Sequence, residues 1–523
     1  MSKATDLIDF TRASSGTALR KISYGSELVV NGTFDTDTSG WTLPTTATFT
    51  WDNGTARFVA SGDRNDPAYQ AISVTVGKVY SLSFTASSTS GEVGVRIYED
   101  DSYGTSVLEV NDVSDQSYSN SFVATQGTLY IYITESSATD TGAANFDNIS
   151  VKEVFFDQPD GTLELFNHPT NIPRIEYDAS GNVLGLLVEE ARTNLILNSD
   201  WSNGTASWGL FNGGLATVNS GIAPDNSNNA LKLSKLSGST AGYLRQTINV
   251  SNGSTYTLSV YAKKGSWDYL EVGGDAFGFG GDGVFFDLSA GTITGSQPSK
   301  ITSIGNGWYR CSTTYTATAS SISPFFRARI SSTSLGDAEG YEYILLWGAQ
   351  LESGSFPTSY IPTSGSTVTR ASDVASIPVS EFGYNQSEGT LLITATPYDA
   401  SSLSWYASFG SEAANSIQFY TSSSTIRTFI RKDSVDQAAF NSVDGASDNT
   451  ELSFACSFEK NNVQSILNGG TIASDASAEI PNITSPLKIG TNTVSSGQLN
   501  GHIKSIKYYP RALTSTKIQE LTS

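Results

Sequence analysis

Histidine-dependent catalysis has little to work with in this chain, because His168 and His502 are the only two histidines in 523 residues and no Gly-x-Ser-x-Gly elbow accompanies either. Both read as structural residues. Cysteine is equally scarce: Cys311 and Cys456 stand alone and far apart, which excludes zinc sites of the Cys/His type and argues against a disulfide framework. The single methionine is Met1, charged residues make up only 15%, and the charge-rich, helix-forming stretches of a bundle or coiled coil are missing. There is no P-loop and no dinucleotide fingerprint. The glycine-rich run from Gly273 lacks a Lys-Ser/Thr ending and reads as a hairpin loop. No apolar run approaches the ~18 residues of a membrane span, and the N-terminus MSKATDLIDFTRASSG carries neither an apolar h-region nor a small-residue cleavage site. The expectation is a protein made in the cytoplasm, without a signal peptide and without membrane insertion.

What is abundant is Gly, Ser, Thr and Asn, together with 24 Tyr and 25 Phe, the usage of short strands joined by tight turns. The expected fold class is all-β. The length exceeds what one core can serve, so three or four modules are expected. A net charge of -21, from 30 basic and 51 acidic residues, repels phosphate backbones and anionic membranes, so nucleic acid is not an expected partner. Neutral ligands such as sugars meet no such penalty.

An internal repeat organises the first two thirds. ELVVNGTFDTDTSGWT, from Glu27, answers to NLILNSDWSNGTASWG, from Asn194: an apolar strand runs into Asn plus a small residue, then an aromatic at Phe34 or Trp201 and a second at Trp41 or Trp208. Downstream, VTVGKVYSLSFTAS from Val74 parallels INVSNGSTYTLSVYAKKG from Ile248, and each copy closes on an apolar strand. Two homologous β-sandwiches follow.

The order of an Asn-Gly-x-Phe strand end, Trp, a Tyr-x-Leu-Ser strand and a terminal Phe-Asp-Asn-Ile-Ser-Val strand resembles the jelly-roll carbohydrate-binding modules of bacterial glycanases and phage structural proteins. Between the copies, IPRIEYDASGNVLGLLVEEARTNLILN from Ile172 resembles a segment recurrent in tailed-phage virion proteins, as does GAQLESGSFPTSYIPTSGSTVTRASD from Gly348. In that family a Thr-Arg-Ala-Ser element directly precedes Pro-Arg-x-x-Tyr-Asp. Here Thr11-Arg12-Ala13-Ser14 is separated from Pro173-Arg174 by the whole first sandwich, which therefore reads as an insertion, and a second copy stands at Thr369-Arg370-Ala371-Ser372. The last quarter, with Asn468-Gly469, Ile489-Gly490, Gly501-His502-Ile503 and Arg511-Ala512-Leu513, is similar to the concanavalin A-like lectin or laminin-G-like sandwich, which ends in a short helix. The expected division is an N-terminal arm at 1–26, a jelly roll at 27–154, a connector at 155–193, a second jelly roll at 194–362, a linker at 363–385 and the lectin-like sandwich at 386–523.

Each candidate for chemistry has a plainer reading. A glycosidase needs two opposed carboxylates, and no Glu-x-Asp-x-x-Glu strand motif occurs after Glu388, so no enzymatic activity is expected. The jelly-roll resemblance implies a structural Ca2+ between the N-terminal turn and the last strand, where Asp35 and Asp147 are the candidate ligands; an Asx turn and a strand-end hydrogen bond are the alternatives. Sugar binding uses exposed rings, with loop aromatics Tyr69, Tyr98, Tyr103, Trp267, Tyr269, Trp405 and Tyr406 as candidates. Of these, Trp267, Tyr269, Trp405 and Tyr406 are selected as the carbohydrate-binding set, since a Trp405-Tyr406 pair on one strand is expected to leave one ring outside. Trp41, Trp208 and Trp308 read as core. Glu189 or Glu190 is expected to pair with Arg192 or Arg174 and lock the connector.

The resemblance implies a phage virion protein, a tail fibre or appendage, that attaches to a host-surface glycan and partners other virion proteins, as a homo-oligomer such as a trimer. The alternatives are a capsid decoration or adaptor protein without glycan binding, and a polysaccharide-degrading enzyme.

Overall fold

A computed structural model describes residues 8–523 except 64, 91–92, 112, 114–115, 136–141, 203, 239–241, 274–277, 279–282, 335–341, 412 and 493–496. The glycine-rich run from Gly273 therefore lies largely outside the described residues. Strands dominate from end to end, and the one α-helix among the described residues is Ser515–Thr522. The all-β expectation holds.

The first jelly roll packs a four-stranded sheet, ordered Ala68–Ser73, Thr128–Glu135, Val93–Tyr98, Ser106–Val110, against a sheet that contains Thr48–Asp52, Thr55–Val59, Ala143–Phe156, Val79–Ser90 and Gln116–Val123. Alternation explains the partition. Along Thr128–Glu135, Leu129, Ile131 and Ile133 enter a core with Phe34, Trp41, Phe58 and Phe146, while Tyr130, Tyr132 and Thr134 face the other way. The second jelly roll repeats the plan. Its outer sheet is ordered Gly209–Phe211, Tyr243–Arg245, Phe325–Arg329, Tyr269–Val272, Val284–Asp287, Thr292–Thr294, and its core holds Trp201, Trp208, Val260, Leu270 and Phe326.

The repeat seen in the sequence is reproduced bond for bond. Asn31 and Asn198, and the aromatics Phe34 and Trp201, all take left-handed backbone, with φ of 52°, 53°, 47° and 55°, a conformation that bulky residues adopt only when their surroundings impose it. Trp41 Nε1 donates to the Asn31 carbonyl at 3.3 Å and Trp208 Nε1 to that of Asn198 at 3.1 Å. Gln70 closes a two-bond clamp on Val30, and Gln246 closes the same clamp on Leu197.

The C-terminal sandwich departs from the expected boundaries. Its two seven-stranded sheets recruit Asp9–Thr11 from the arm, Ile175–Tyr177 and Val183–Val188 from the connector, and Val374–Ile377 from the linker. Parts of arm, connector and linker are thus strands of this sandwich, because Phe10, Leu186, Val188 and Ala375 carry apolar faces that its core buries. The rest of the arm, Gly16–Tyr24, and the connector strand Thr162–His168 extend the first jelly roll's sheet beside Ala143–Phe156. The closing helix seats Ile518 against Leu392, Ala455, Ile466 and Leu513.

The motif strings converge where these strands meet. Arg12, Arg174 and Arg370 surround Glu189 and Asp373, all with fully or almost fully buried side chains: Arg12 to Asp373 is 3.2 Å, Arg174 to Glu189 2.8 Å and Arg370 to Glu189 3.4 Å. Arg174 also reaches Asp373, and both Glu189 oxygens accept from Ser359 at 2.7 Å. The expected pairing of Glu189 with Arg174 is present, as is that of Glu190 with Arg192. The first jelly roll leaves and re-enters this framework through adjacent strands, Tyr24 lying opposite Val154, the geometry of an insertion. Cys311 and Cys456 are free, buried thiols.

Candidate functional site

The outer face of the four-stranded sheet in the first jelly roll gathers five tyrosines. Period-two alternation sends Tyr69, Tyr98, Tyr130 and Tyr132 to the side away from the core. Tyr132 sits at the centre, with ring centroids 5.4 Å from Tyr69, 5.1 Å from Tyr98 and 4.9 Å from Tyr103. Tyr69 and Tyr130 are 6.2 Å apart. Tyr98 and Tyr132 are buried beneath Tyr69, Tyr103 and Tyr130, which remain half-exposed. Arg96 lies beside Tyr132 in the ladder and donates through Nε to Asn111 Oδ1 at 2.9 Å.

The loop that carries Tyr103 is fixed from within. Asp100 Oδ1 accepts from the Ser102 and Gly104 amides, each at 3.0 Å, Tyr132 donates its hydroxyl to the Asp100 carbonyl at 3.1 Å, and Tyr103 holds φ 61°. On the neighbouring rim, Asp66 accepts from the Thr45, Thr46 and Ala47 amides; burial raises its pKa, but these bonds outweigh burial and hold the carboxyl below its ordinary range. Burial first, then the nearby charges, push the Tyr103 and Tyr132 hydroxyls up, so both stay neutral donors. The face offers the half-exposed rings and hydroxyls of Tyr69, Tyr103 and Tyr130 over a fully buried Arg96 and Tyr132, ring surface of the kind on which pyranose rings stack.

Three of the loop aromatics named from sequence, Tyr69, Tyr98 and Tyr103, meet here. Tyr130 and Tyr132 were missed, although LYIYITE, with a tyrosine at every second position, carries the signal. The selected set fares differently. Trp267 is 4% exposed and belongs to the second jelly-roll core, its amide donating to the Tyr343 carbonyl at 3.2 Å. Trp405 and Tyr406 are 6% and 0% exposed. Tyr406, at a β-bulge in the ladder between Trp405 and Ala407, enters the core, while Trp405 stands opposite Tyr420 on the other face and is covered there by the segment at Gly497. The expectation that one of them stays outside is corrected: Trp405 packs on Tyr420 at 4.6 Å, and Tyr406 accepts from Thr421 Oγ1 at 2.6 Å. Tyr269 alone of the four is half-exposed, on the outer face of the second jelly roll beside Asp287 and Arg329. There Phe211, Tyr243, Phe325 and Phe285 interleave with Arg245, Arg327 and Arg329.

Asp35 and Asp147 come together as the repeat's first turn docks on the last strand, Ile149 donating its amide to the Gly32 carbonyl at 2.9 Å. Burial raises the Asp147 pKa, the Asn148 amide bond lowers it, and the charge of Asp35 adds a smaller rise. Hard oxygen donors that repel one another suit Ca2+. No group of three acidic, His or Cys side chains able to hold a metal occurs among the described residues, so carbonyls or water would complete the shell.

Two clefts open where modules meet. One, of about 530 Å3, holds the pair His502 Nε2 to Glu176 Oε2 at 2.6 Å beneath Tyr398. The other, of about 340 Å3, separates the two jelly rolls; in it Glu164 accepts from Tyr24 at 2.8 Å and from Asn226 at 2.6 Å. His168 is fully buried against Arg20, and burial together with that positive charge holds its pKa well below the ordinary value.

No protein-family model matches the chain, and no curated protein sequence matches it significantly. Among solved structures, a family 4 carbohydrate-binding module is similar over 24% of this chain and 99% of its own, at 19% identity and a TM-score of 0.22. A tandem pair of family 22 modules from Paenibacillus barcinonensis is similar over 65% of this chain and 100% of its own, at 12% identity and a TM-score of 0.22. Domains LG4-5 of the mouse laminin α1 chain are similar over 63% of this chain and 95% of their own, at 10% identity and a TM-score of 0.20. None of these likenesses carries a ligand over to this chain.

Proposed function

We propose that this chain is a non-enzymatic, glycan-binding appendage of a tailed-phage virion, and that it uses the outer faces of its jelly-roll sheets as adhesive surfaces. The observation that supports glycan binding is the tyrosine face centred on Tyr132, where the half-exposed rings of Tyr69, Tyr103 and Tyr130 are packed in place before any ligand arrives. The virion assignment rests on the Thr-Arg-Ala-Ser and Pro-Arg-x-x-Tyr-Asp strings, whose arginines meet in one buried knot. In this reading the arm, connector and C-terminal sandwich dock onto other virion proteins, while the jelly rolls meet the host surface. Homo-oligomeric display, as a trimer for example, multiplies weak sites into useful avidity. Asp35 and Asp147 hold a structural Ca2+ that braces the first jelly roll.

A glycan array probed with the intact chain and with a Tyr69→Ala/Tyr130→Ala variant tests the binding. Retention by the first and its loss by the second is the expected outcome; equal retention by both assigns the site elsewhere. Mass spectrometry of purified virions tests the location, and absence of the chain from them contradicts it.

A further inference from the structure

We propose that the cleft where the connector, the second jelly roll and the C-terminal sandwich meet is a further glycan site, and that it takes the end of a neutral saccharide. This rests on the reading that the chain binds glycans, and it adds a site that differs in place and shape from the tyrosine face. The cleft holds about 530 Å3, within the range of small-ligand pockets. Walls from three parts of the chain suit a chain end, whereas an open sheet face suits a chain lying along it.

Each wall brings a fixed polar group that solvent reaches. In the second jelly roll, Ser299–Gly305 pairs with Trp308–Thr316, Thr302 standing opposite Arg310. Ile301 and Cys311 pack into the core, and alternation sends Lys300, Thr302 and Arg310 to the cleft. Lys300 Nζ donates to Asn449 Oδ1 at 2.7 Å; both residues are exposed, and the bond uses one of three ammonium donors and leaves the Asn449 amide N–H groups to spare. From the connector, Glu176 is held at Oε2 by His502 Nε2, 2.6 Å away, and by Tyr398, while its Oε1 accepts no hydrogen bond from the described residues. Asp448, exposed on the C-terminal sandwich, is fixed by the Ala400 amide at 2.8 Å.

Apolar surface lies beside these groups. The rings of Phe356 and Tyr398, both half-exposed, stand 6.0 Å apart, and Arg192 lies 4.9 Å over Phe356, so the ring is in place before a ligand arrives. Neighbouring sugar hydroxyls each donate and accept, and the cleft answers with donors at Lys300 and Asn449, acceptors at Glu176 and Asp448, and ring surface between them and the second jelly roll. A carboxylate or phosphate only accepts, so it leaves Glu176 and Asp448 unanswered and adds negative charge beside them.

Saturation-transfer NMR of the full chain tests the site, with the methyl glycosides of glucose, galactose, mannose, rhamnose and N-acetylglucosamine, and with methyl glucuronide and methyl galacturonide, as probes. At least one neutral glycoside should bind, and neither uronide should bind more tightly than its neutral parent. Lys300→Ala, at an exposed position, should weaken that binding about tenfold with an unchanged melting temperature, which separates loss of recognition from loss of folding. Glu176→Gln should weaken it several-fold, and the Tyr69→Ala/Tyr130→Ala chain should still bind. Glycoside binding untouched by Lys300→Ala, tighter binding of a uronide, or no glycoside bound by a chain that still retains oligosaccharides on an array overturns this inference and leaves glycan binding intact. Retention of no glycan of any kind overturns both.

Discussion

Arg12 and Asp373, 361 positions apart in sequence, meet at 3.2 Å with neither side chain reaching solvent. The contact joins the first strand of the chain to the linker after the second jelly roll, and Arg174 shares the same carboxylate. Removing one member of such a group strands the others as uncompensated buried charge, at a cost of about 3–5 kcal/mol.

Asp373→Ala is therefore expected to lower the unfolding free energy of the C-terminal sandwich, read from urea denaturation, by about 3–5 kcal/mol, and a change under about 1 kcal/mol would contradict the role given to the knot. Glu189 adds a pH dependence. Burial raises its pKa, but Arg370, Arg174 and Ser359 outweigh burial and hold it well below the ordinary range. A carboxyl depressed in the folded state contributes its full stability above its ordinary pKa and loses it as pH falls toward the lower folded value. Acid unfolding beginning below about pH 4 is the expected profile, and Glu189→Gln should flatten it.

Glu164 carries the opposite sign. Burial lifts it to about 7, against the bonds from Tyr24 and Asn226 that lower it, so the folded state binds the proton more tightly than the unfolded one. Stability should then fall as pH rises from about 4.5 to 7, by at most ~3 kcal/mol, with Asp225, raised to about 6, adding to the fall. Glu164→Gln keeps an acceptor for Asn226 and a donor for Tyr24, and it should remove most of this slope in melting temperatures measured from pH 4 to 8. An unchanged slope would refute the assignment.

Tyr406→Phe separates core from binding surface. It leaves the buried Thr421 hydroxyl without its acceptor and should cost ~1–2 kcal/mol in chemical denaturation, while glycan retention stays as in the parent chain. Reduced retention with unchanged stability would return Tyr406 to the binding set.

Calcium bears on the first jelly roll alone. If Asp35 and Asp147 hold the ion, EDTA should lower the melting transition of the first jelly roll, added Ca2+ should restore it, and Asp147→Asn should be insensitive to both. A melt indifferent to EDTA in the parent chain would show that the two carboxylates hold no ion.

Much of this organisation was legible in the sequence, and the failures have identifiable causes. The duplicated jelly roll could be read because Phe34 and Trp201, with Trp41 and Trp208, mark local turns whose geometry depends on neighbours close in the chain. Convergence of Arg12, Arg174 and Arg370 could not, since it is a tertiary contact between strands separated by whole modules. Trp405 and Tyr406 misled because alternation tells which face a ring takes and not whether that face is covered: Trp405 stands opposite Tyr420, away from the core, and is still buried. Trp267 misled because its turn folds the ring back into the core. Tyr130 and Tyr132 were visible as alternation in a single strand, but their value lies in meeting Tyr69, Tyr98 and Tyr103 from other segments.

The most direct test of adhesion without bond cleavage is to incubate the intact chain with glycans it retains and to read both retention and glycan length by mass spectrometry. The account predicts retention that depends on Tyr69 and Tyr130, with every glycan recovered at its original length. Shortened products, or retention untouched by the Tyr69→Ala/Tyr130→Ala change, would contradict it.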